Sequence, residues 1–89
     1  MTRLEYCESI VFREEPDGGI LFDVDTGRLK LVEDVAWGIC HLIEKLGIKE
    51  QILSRLEELY PEEDSMEEDL DGFLGELIES GFLRRFVED

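Results

Sequence analysis

The hydrophobic period of this chain changes once, near Glu33, and that change limits the folds it can adopt. Before it, three short segments have the apolar and β-branched character of strands, and two turn sequences separate them, at residues 15–19 and 25–27. After it, apolar residues recur every three or four positions, which is typical of amphipathic helices. Tight turns between consecutive strands produce an antiparallel meander. The order predicts an α+β, winged-helix-like fold with a three-stranded antiparallel sheet followed by a three-helix bundle.

The three predicted strands cover residues 9–13, 20–24 and 28–32. Side chains alternate between the two faces of a strand, so in the third strand we expect Leu29 and Leu31 to point into the core. Its basic residues, Arg28 and Lys30, are expected to face solvent. In the second strand the residues expected to share one face are Ile20, Phe22 and Val24. The first and third strands are the edges of the meander, and an edge strand leaves backbone N–H and C=O groups unpaired.

Three amphipathic helices follow, with predicted bounds of 33–47, 48–60 and 65–81. Gly47, Pro61 and Gly81 are the stop signals, and residues 65–68 have the pattern of a capping box that opens the third helix. Trp37 is expected to be a packing residue, as large aromatic side chains usually are. The apolar face of the third helix comprises Met66, Leu70, Phe73, Leu74, Leu77 and Ile78. Residues 84–89 are expected to form a short tail.

The charge of the chain argues against the commonest use of a winged-helix outline, which is nucleic-acid binding. Nine Lys and Arg stand against 24 Asp and Glu, for a net charge of −15. From Leu56 to Leu83, the stretch that contains the expected reading helix, there are eleven acids and no base. Affinity for a duplex comes largely from basic side chains that neutralise phosphates. We therefore expect neither nucleic acid nor an anionic membrane surface as partner, and the charge favours cationic ones.

Length and composition favour one small domain, spanning residues 1–89 with its core at about 8–84. No apolar run approaches the roughly 20 residues that a bilayer span needs, and the N-terminus lacks the apolar region of a signal peptide, so a cytoplasmic protein is expected. Cys7 and Cys40 are too few for a disulfide scaffold. Cys40 and His41, neighbours on a helix, point about 100° apart and do not converge on a metal ion.

No residue pattern indicates catalysis. The chain has no glycine-rich phosphate loop, no zinc-protease motif and no nucleophile with a plausible base. Asp23 and Asp25 straddle a hairpin turn, but their spacing lacks the glycine and the distal glutamate of a calcium loop. Paired carboxylates perform acid–base chemistry only where a pocket separates their pKa values, and a chain of this size has little pocket. We expect a protein that is not an enzyme and that holds no cofactor and no metal.

The third strand, over Arg28 to Val32, admits two interpretations. It is either a protected edge, short and carrying two bases, or a site where an extended peptide adds a strand. In the second case the third helix would be the other wall of a groove. The candidate peptide-binding residues are then Arg28, Leu29, Lys30, Leu31, Val32, Met66, Asp69, Leu70, Phe73, Glu76 and Leu77. The pattern of residues alone leaves both interpretations open.

Several short motifs, in the order in which they occur, resemble those of the PqqD-like family, the RiPP recognition elements of peptide natural-product pathways. They are Gly18-Gly19-Ile20-Leu21-Phe22-Asp23, Thr26-Gly27-Arg28-Leu29-Lys30-Leu31, Ile52 with Leu56 and Tyr60-Pro61, Asp69-Leu70 with Phe73-Leu74, and Leu77 with Gly81-Phe82-Leu83. The resemblance covers roughly residues 8–84. The chain departs from the family pattern at Val32, where Asn is frequent, and at Lys45-Leu46-Gly47, where Asp-Gly is frequent.

The resemblance implies a peptide chaperone that binds the leader segment of a ribosomally made precursor peptide and presents it to a modifying enzyme, often a radical-SAM enzyme. It implies that the backbone of Leu29, Lys30 and Leu31 pairs with the leader, and that Phe73 and Leu77 receive its apolar side chains. From charge alone, Arg28 and Lys30 are candidates to contact leader acids. The alternatives are a structural subunit of a biosynthetic enzyme complex and, less favoured, a winged-helix DNA-binding regulator. A monomer or a weak dimer is expected.

Overall fold

A computed structural model describes residues 1–88 and has five strands and three helices within them. The elements are β1 (Thr2–Tyr6), β2 (Ile10–Glu15), β3 (Gly18–Asp23), β4 (Leu29–Glu33), α1 (Asp34–Leu46), α2 (Lys49–Leu59), α3 (Met66–Glu79) and β5 (Leu83–Val87). Strands β2, β3 and β4 form an antiparallel sheet in that order, and the three helices follow. The predicted α+β class, with a three-stranded antiparallel sheet before three helices, is confirmed.

A second, two-stranded sheet joins the two ends of the described chain. β1 pairs antiparallel with β5, from Thr2 opposite Val87 to Tyr6 opposite Leu83. Leu4 and Leu83 are buried and attach this sheet to the core. The predicted tail is therefore wrong for residues 84–87, which are in β5, and Asp89 lies outside the described residues. Five-residue strands carry a weak local signal, and β1 and β5 lie some 80 residues apart in sequence.

The inner face of β4 is the opposite of the one predicted. Gly19, Leu21 and Val32 are buried against the helices, whereas Leu29 and Leu31 are 58% and 68% exposed. Val24, which was predicted to share one face with Ile20 and Phe22, is 56% exposed. A shift of one residue moves every side chain of a strand to the other face, so one error of parity misplaced Leu29, Lys30 and Leu31.

Trp37 of α1 explains why the sheet has this parity. Its ring packs over Gly19, where a Cβ would overlap the ring, and it meets Phe12 edge-on with ring centroids 6.1 Å apart. Gly19 lies opposite Val32 in the register of β3 and β4. Because Gly19 faces the indole, its partner Val32 also faces the helices, and the neighbours of Val32 in β4 face outward. The expectation that Trp37 packs in the interior is met, since it is 8% exposed.

The core is shared between the sheet and one face of each helix. Its fully or nearly fully buried helical residues are Trp37, Ile39, Cys40, Ile43, Ile52, Leu56, Met66, Leu70, Leu74 and Leu77. α1 ends at Gly47, which has the left-handed φ of 69° that suits glycine. The capping box predicted at Ser65 does not form: Ser65 Oγ instead lies 3.3 Å from Asp69 Oδ2. None of the helices within residues 1–88 combines the length and apolar character that crossing a bilayer requires.

Candidate functional site

The outer edge of β4 leaves backbone groups free for pairing. In the part of the chain that the structure describes, β4 is hydrogen-bonded to a neighbouring strand on one side, which is β3. Asp23 N–H donates to the Arg28 carbonyl at 2.8 Å, so this opposing pair is a hydrogen-bonded one. Such pairs alternate along an antiparallel ladder, and residues 30 and 32 therefore also bond to β3. The N–H and C=O groups of Leu29, Leu31 and Glu33 consequently face the open edge.

Two basic side chains extend from this edge to the C-terminal part of α3. Lys30 Nζ lies 3.5 Å from Glu76 Oε2, and Arg28 Nη1 donates to the Ser80 carbonyl at 3.0 Å. Lys30 was predicted to face solvent, but its side chain is only 29% exposed and lies on the helix side of the sheet. Both bases therefore already have protein partners, which weakens the expectation that they contact acids of a ligand.

An apolar pocket of about 380 Å³ lies between the N-terminal halves of α1 and α3. Its lining residues are Val35, Ala36, Ile39, Tyr60, Glu63, Met66, Asp69 and Phe73. Asp34, with a left-handed φ of 52°, turns the chain from β4 directly into α1. Val35 thus lies two residues after β4, within about 8 Å of Glu33 along the chain. The pocket is close to the Glu33 end of the open edge.

The predicted site residues on α3 divide into two groups. Met66, Asp69 and Phe73 line the pocket, and Glu76 is exposed beside Lys30. Leu70 and Leu77 are fully buried in the core, where they present no surface to a ligand. Their contribution is to pack α3 in place. Val32 is likewise buried, and its backbone groups pair with β3.

Sequence reasoning missed the wall of the pocket that α1 and the α2–α3 connection provide. Val35, Ala36 and Ile39 lie on the apolar face of α1, and none of them was among the predicted site residues. Val35 is in fact 40% exposed. The signal available in the sequence for this wall was that the apolar face of α1 is long and begins immediately after β4. Tyr60 and Glu63 complete the rim from the α2–α3 connection.

The rim of the pocket is negative. Glu63 and Asp69 are its charged lining residues, and both are exposed acids. Lys30, the basic residue of β4, is paired with Glu76. An apolar interior with acids at its mouth is suited to a ligand that combines an apolar side chain with a neighbouring positive charge.

The other groups considered for chemistry have structural roles. Asp23 accepts backbone N–H groups from Asp25 at 2.9 Å and Thr26 at 3.4 Å, and so caps its turn. Burial raises the pKa of the Cys40 thiol to about 11, which disfavours the reactive thiolate. Burial likewise raises the pKa of Tyr6, whose hydroxyl donates to the Cys40 carbonyl at 3.0 Å. Among residues 1–88 no three His, Cys, Asp or Glu side chains come together as metal ligands.

Comparison with known protein families identifies the chain. The family model for Coenzyme PQQ synthesis protein D (PqqD) matches residues 18–83. The chain belongs to the PqqD family. Searches of curated proteins and of solved structures found no match. The part of this PqqD-family chain that matches runs from the start of β3 to the start of β5, and so contains the open edge of β4 and all three helices.

Proposed function

We propose that this PqqD-family protein binds the leader segment of a ribosomally synthesised precursor peptide by strand addition to β4, and delivers the peptide to a modifying enzyme. The observation that carries the proposal is the open edge of β4, which lies next to an apolar pocket between α1 and α3. Family membership supports a role in a peptide-modification pathway. The proposed role is non-catalytic, and a radical-SAM enzyme is the proposed recipient.

The leader would supply backbone groups to Leu29, Leu31 and Glu33, whose own N–H and C=O groups face outward. Each residue of an added strand rises about 3.3 Å, so four to six leader residues cover this edge. Alternate side chains would face the helices and reach the pocket at Met66 and Phe73. Main-chain hydrogen bonds then provide affinity, and the pocket provides specificity for an apolar anchor residue.

Charge indicates which kind of leader segment would bind, and the family resemblance alone does not. The chain carries a net charge of −15, and Glu63 and Asp69 stand at the mouth of the pocket. Arg28 and Lys30, which we considered as contacts for leader acids, are already bonded to α3. We therefore expect the bound segment to carry Lys or Arg beside its apolar anchor, because an acidic segment would be repelled.

The test is a two-dimensional amide NMR titration with peptides selected for binding from a displayed library, with duplex DNA as control. Shifts confined to residues 28–35 and 66–77 on adding peptide, with none on adding DNA, are the expected result. Shifts elsewhere, or failure of the library to yield any binder, would count against strand addition to β4. DNA-induced shifts would favour the regulator instead.

Substitution in the pocket separates peptide recognition from a purely structural role. Phe73 is half-buried at the pocket wall, so Phe73→Asp should abolish peptide binding while the protein remains folded. Leu59→Asp is the matched control, because Leu59 is exposed on α2 and lies outside the pocket lining. Equal loss of peptide binding in both variants, or loss of the folded state in Phe73→Asp, would favour the structural-subunit alternative.

A further inference from the structure

The outer face of the three-stranded sheet, on the side away from the helices, carries a continuous apolar patch. Val11, Phe22 and Leu29 stand opposite one another across the three strands, and Ile20 and Leu31 form the next row. We call these five residues the outer patch. Val11 is 46% exposed, and Leu29 and Leu31 are more exposed still. Residues directly opposite in neighbouring strands have Cβ atoms about 5 Å apart, so the side chains form one surface.

This patch is unexplained by folding, since the hydrophobic core lies on the other face of the sheet. The buried cluster draws on Leu21 and Val32 from β3 and β4, whereas every outer-patch side chain lies outside it. Contiguous exposed apolar surface on a soluble domain commonly marks a contact with another macromolecule. Its presence in a chain with a net charge of −15 makes the surface distinct from its surroundings.

One end of the outer patch is bordered by an acidic recess of about 170 Å³. Ile20 and Leu31 line it together with three acids, Glu15, Asp17 and Glu33. The floor of the recess is backbone, because Gly18 has a φ of 151° and a Cβ there would overlap the Val32 carbonyl. Arg13 Nε lies 3.5 Å from Glu15 Oε1 at the rim, so Asp17 and Glu33 are the acids left to meet a partner's charge.

We propose that the outer patch docks a second protein, whose matching surface is apolar and bears a Lys or Arg that enters the acidic recess. The partner is the enzyme that receives the bound peptide. This choice of partner rests on the proposed function, whereas the docking surface rests on the exposed residues described above. The apolar rows provide the centre of the contact, and the recess fixes its orientation through charge.

Charge and area both argue against a second copy of this chain as the occupant. Two copies would bring together net charges of −15 each. Three strands spaced about 4.8 Å apart, with five residues rising about 3.3 Å each, make a face of roughly 250 Å². A stable interface buries about 800 Å² on each partner. A larger, basic enzyme surface can extend the contact beyond the sheet to the surrounding acids, which an identical copy cannot do favourably.

Site-specific photocross-linking in the cells that produce this protein tests the proposal. Benzoylphenylalanine is placed at Val11 in the outer patch or, as a matched control, at Gln51 on the exposed face of α2. The Val11 position should link one protein, identified by mass spectrometry as a peptide-modifying enzyme, that the Gln51 position does not link. Linkage at both positions, of a second copy of this chain, of a short peptide or of nothing overturns the proposal.

The enzyme identified in this way, once purified, serves as the probe for titration with the full chain. Val11→Ser should weaken its binding at least about tenfold, as expected for a residue near the centre of a contact. Leu59→Ser, a similarly exposed leucine on α2, should change it by less than about twofold. Asp17→Lys should weaken binding and reduce its dependence on salt. Equal effects of Val11→Ser and Leu59→Ser would overturn the assignment.

Peptide binding by the same variants distinguishes failure of this inference from failure of the proposed function. Val11 is on β2, two strand spacings or roughly 10 Å from the open edge of β4. Val11→Ser should therefore retain peptide affinity while losing the enzyme. Intact peptide binding with unchanged enzyme binding in Val11→Ser overturns the docking surface alone. If the protein binds the enzyme, loses that binding in Val11→Ser and binds no peptide, only the peptide function is overturned.

Discussion

Proline at position 31 tests strand addition with little effect on the fold. The Leu31 N–H faces the open edge of β4, and the Leu31 side chain is 68% exposed. Proline is tolerated in an edge strand where the missing N–H pointed to solvent. Leu31→Pro therefore removes a donor that the added strand needs and leaves the pairing of β4 with β3 in place. One residue earlier, Lys30→Pro would remove an N–H within the β3–β4 ladder and should destabilise the protein.

The expected loss of affinity follows from one hydrogen bond. A lost bond costs about 0.5–1.5 kcal/mol net, and a peptide carbonyl left without a donor in a partly buried site raises this to about 1–3 kcal/mol. About 1.4 kcal/mol corresponds to a tenfold change in Kd. The Kd for a peptide selected against the wild-type protein should therefore rise roughly 5- to 150-fold in Leu31→Pro. Leu31→Ala keeps the N–H and should change Kd by less than about threefold.

Isothermal titration calorimetry measures these affinities, and circular dichroism establishes that each variant is folded. Glu14→Pro is the matched control, because Glu14 is exposed on β2 and its N–H faces the other open edge of the same sheet. It should leave peptide affinity unchanged. Wild-type affinity in a folded Leu31→Pro variant would refute strand addition to β4. Loss of affinity in Glu14→Pro, with Leu31→Pro unaffected, would place the peptide on β2.

Two further predictions concern the fold. Gly19→Ala should lower the free energy of unfolding by about 1–3 kcal/mol in urea denaturation, because the new Cβ overlaps the Trp37 ring. Gly72→Ala is the control, since Gly72 has open space around it in α3, and it should raise the free energy of unfolding by up to about 1 kcal/mol. Equal effects of the two substitutions would contradict the packing argument. Hydrogen bonds, chiefly from Ser9, lower the pKa of Asp23, so its stabilising effect is present above the pKa of an unfolded aspartate and is lost as pH falls through the depressed value. Asp23→Asn should flatten the acid limb of stability against pH, and an unchanged limb would contradict this.

The helices were predictable from the sequence because their signals are local. Periodic apolar residues and the stop at Gly47 gave α1 to within one residue at each end. α2 was bounded equally well and α3 to within one residue at its start and two at its end, since Pro61 and Gly81 follow their last turns. The start of α3 was correct although the predicted capping box was not, because Ser65 bonds to Asp69 instead. Compositional signals therefore located helix ends even where the hydrogen bonds differ.

The faces of β4 were not predictable, because its sequence has apolar residues on both. Leu29 and Leu31 alternate cleanly with Arg28 and Lys30, which favoured the leucines as core residues. The inward pair is instead Lys30 and Val32, and the packing of Trp37 on Gly19 decides it. That contact joins residues 18 positions apart and has no periodic signal. The same error assigned Leu29 and Leu31 of the outer patch to the core.

The candidate site was predictable in its edge but not in its pocket. The order of three strands placed β4 at the edge, and three of the residues named on the third helix, Met66, Asp69 and Phe73, line the pocket. The α1 wall of the pocket depends on the sharp turn at Asp34, which sets how α1 leaves β4. A left-handed conformation at an aspartate is uncommon, and nothing in the local sequence demands it.

The two proposed surfaces meet at β4, and this predicts that peptide and enzyme bind cooperatively. A strand added to the open edge widens the outer face by about 4.8 Å, and its outward side chains would lie beside Leu29 and Leu31. An enzyme docked on the outer patch would contact them as well. Coupling between two sites is reciprocal and typically amounts to about 1–3 kcal/mol, or roughly 5- to 150-fold in affinity.

The enzyme should therefore bind the peptide-loaded protein more tightly than the free protein, which would favour delivery over unproductive docking. Titration of the enzyme identified by cross-linking, with and without saturating peptide, measures the effect. Leu31→Pro, which cannot hold the added strand, should abolish the difference in enzyme affinity. A peptide truncated to its β4-binding segment should retain the full coupling if the outward side chains of that segment cause it. If only the complete precursor increases affinity, the enzyme recognises the rest of the peptide, and the outer patch contributes docking without sensing occupancy of the groove.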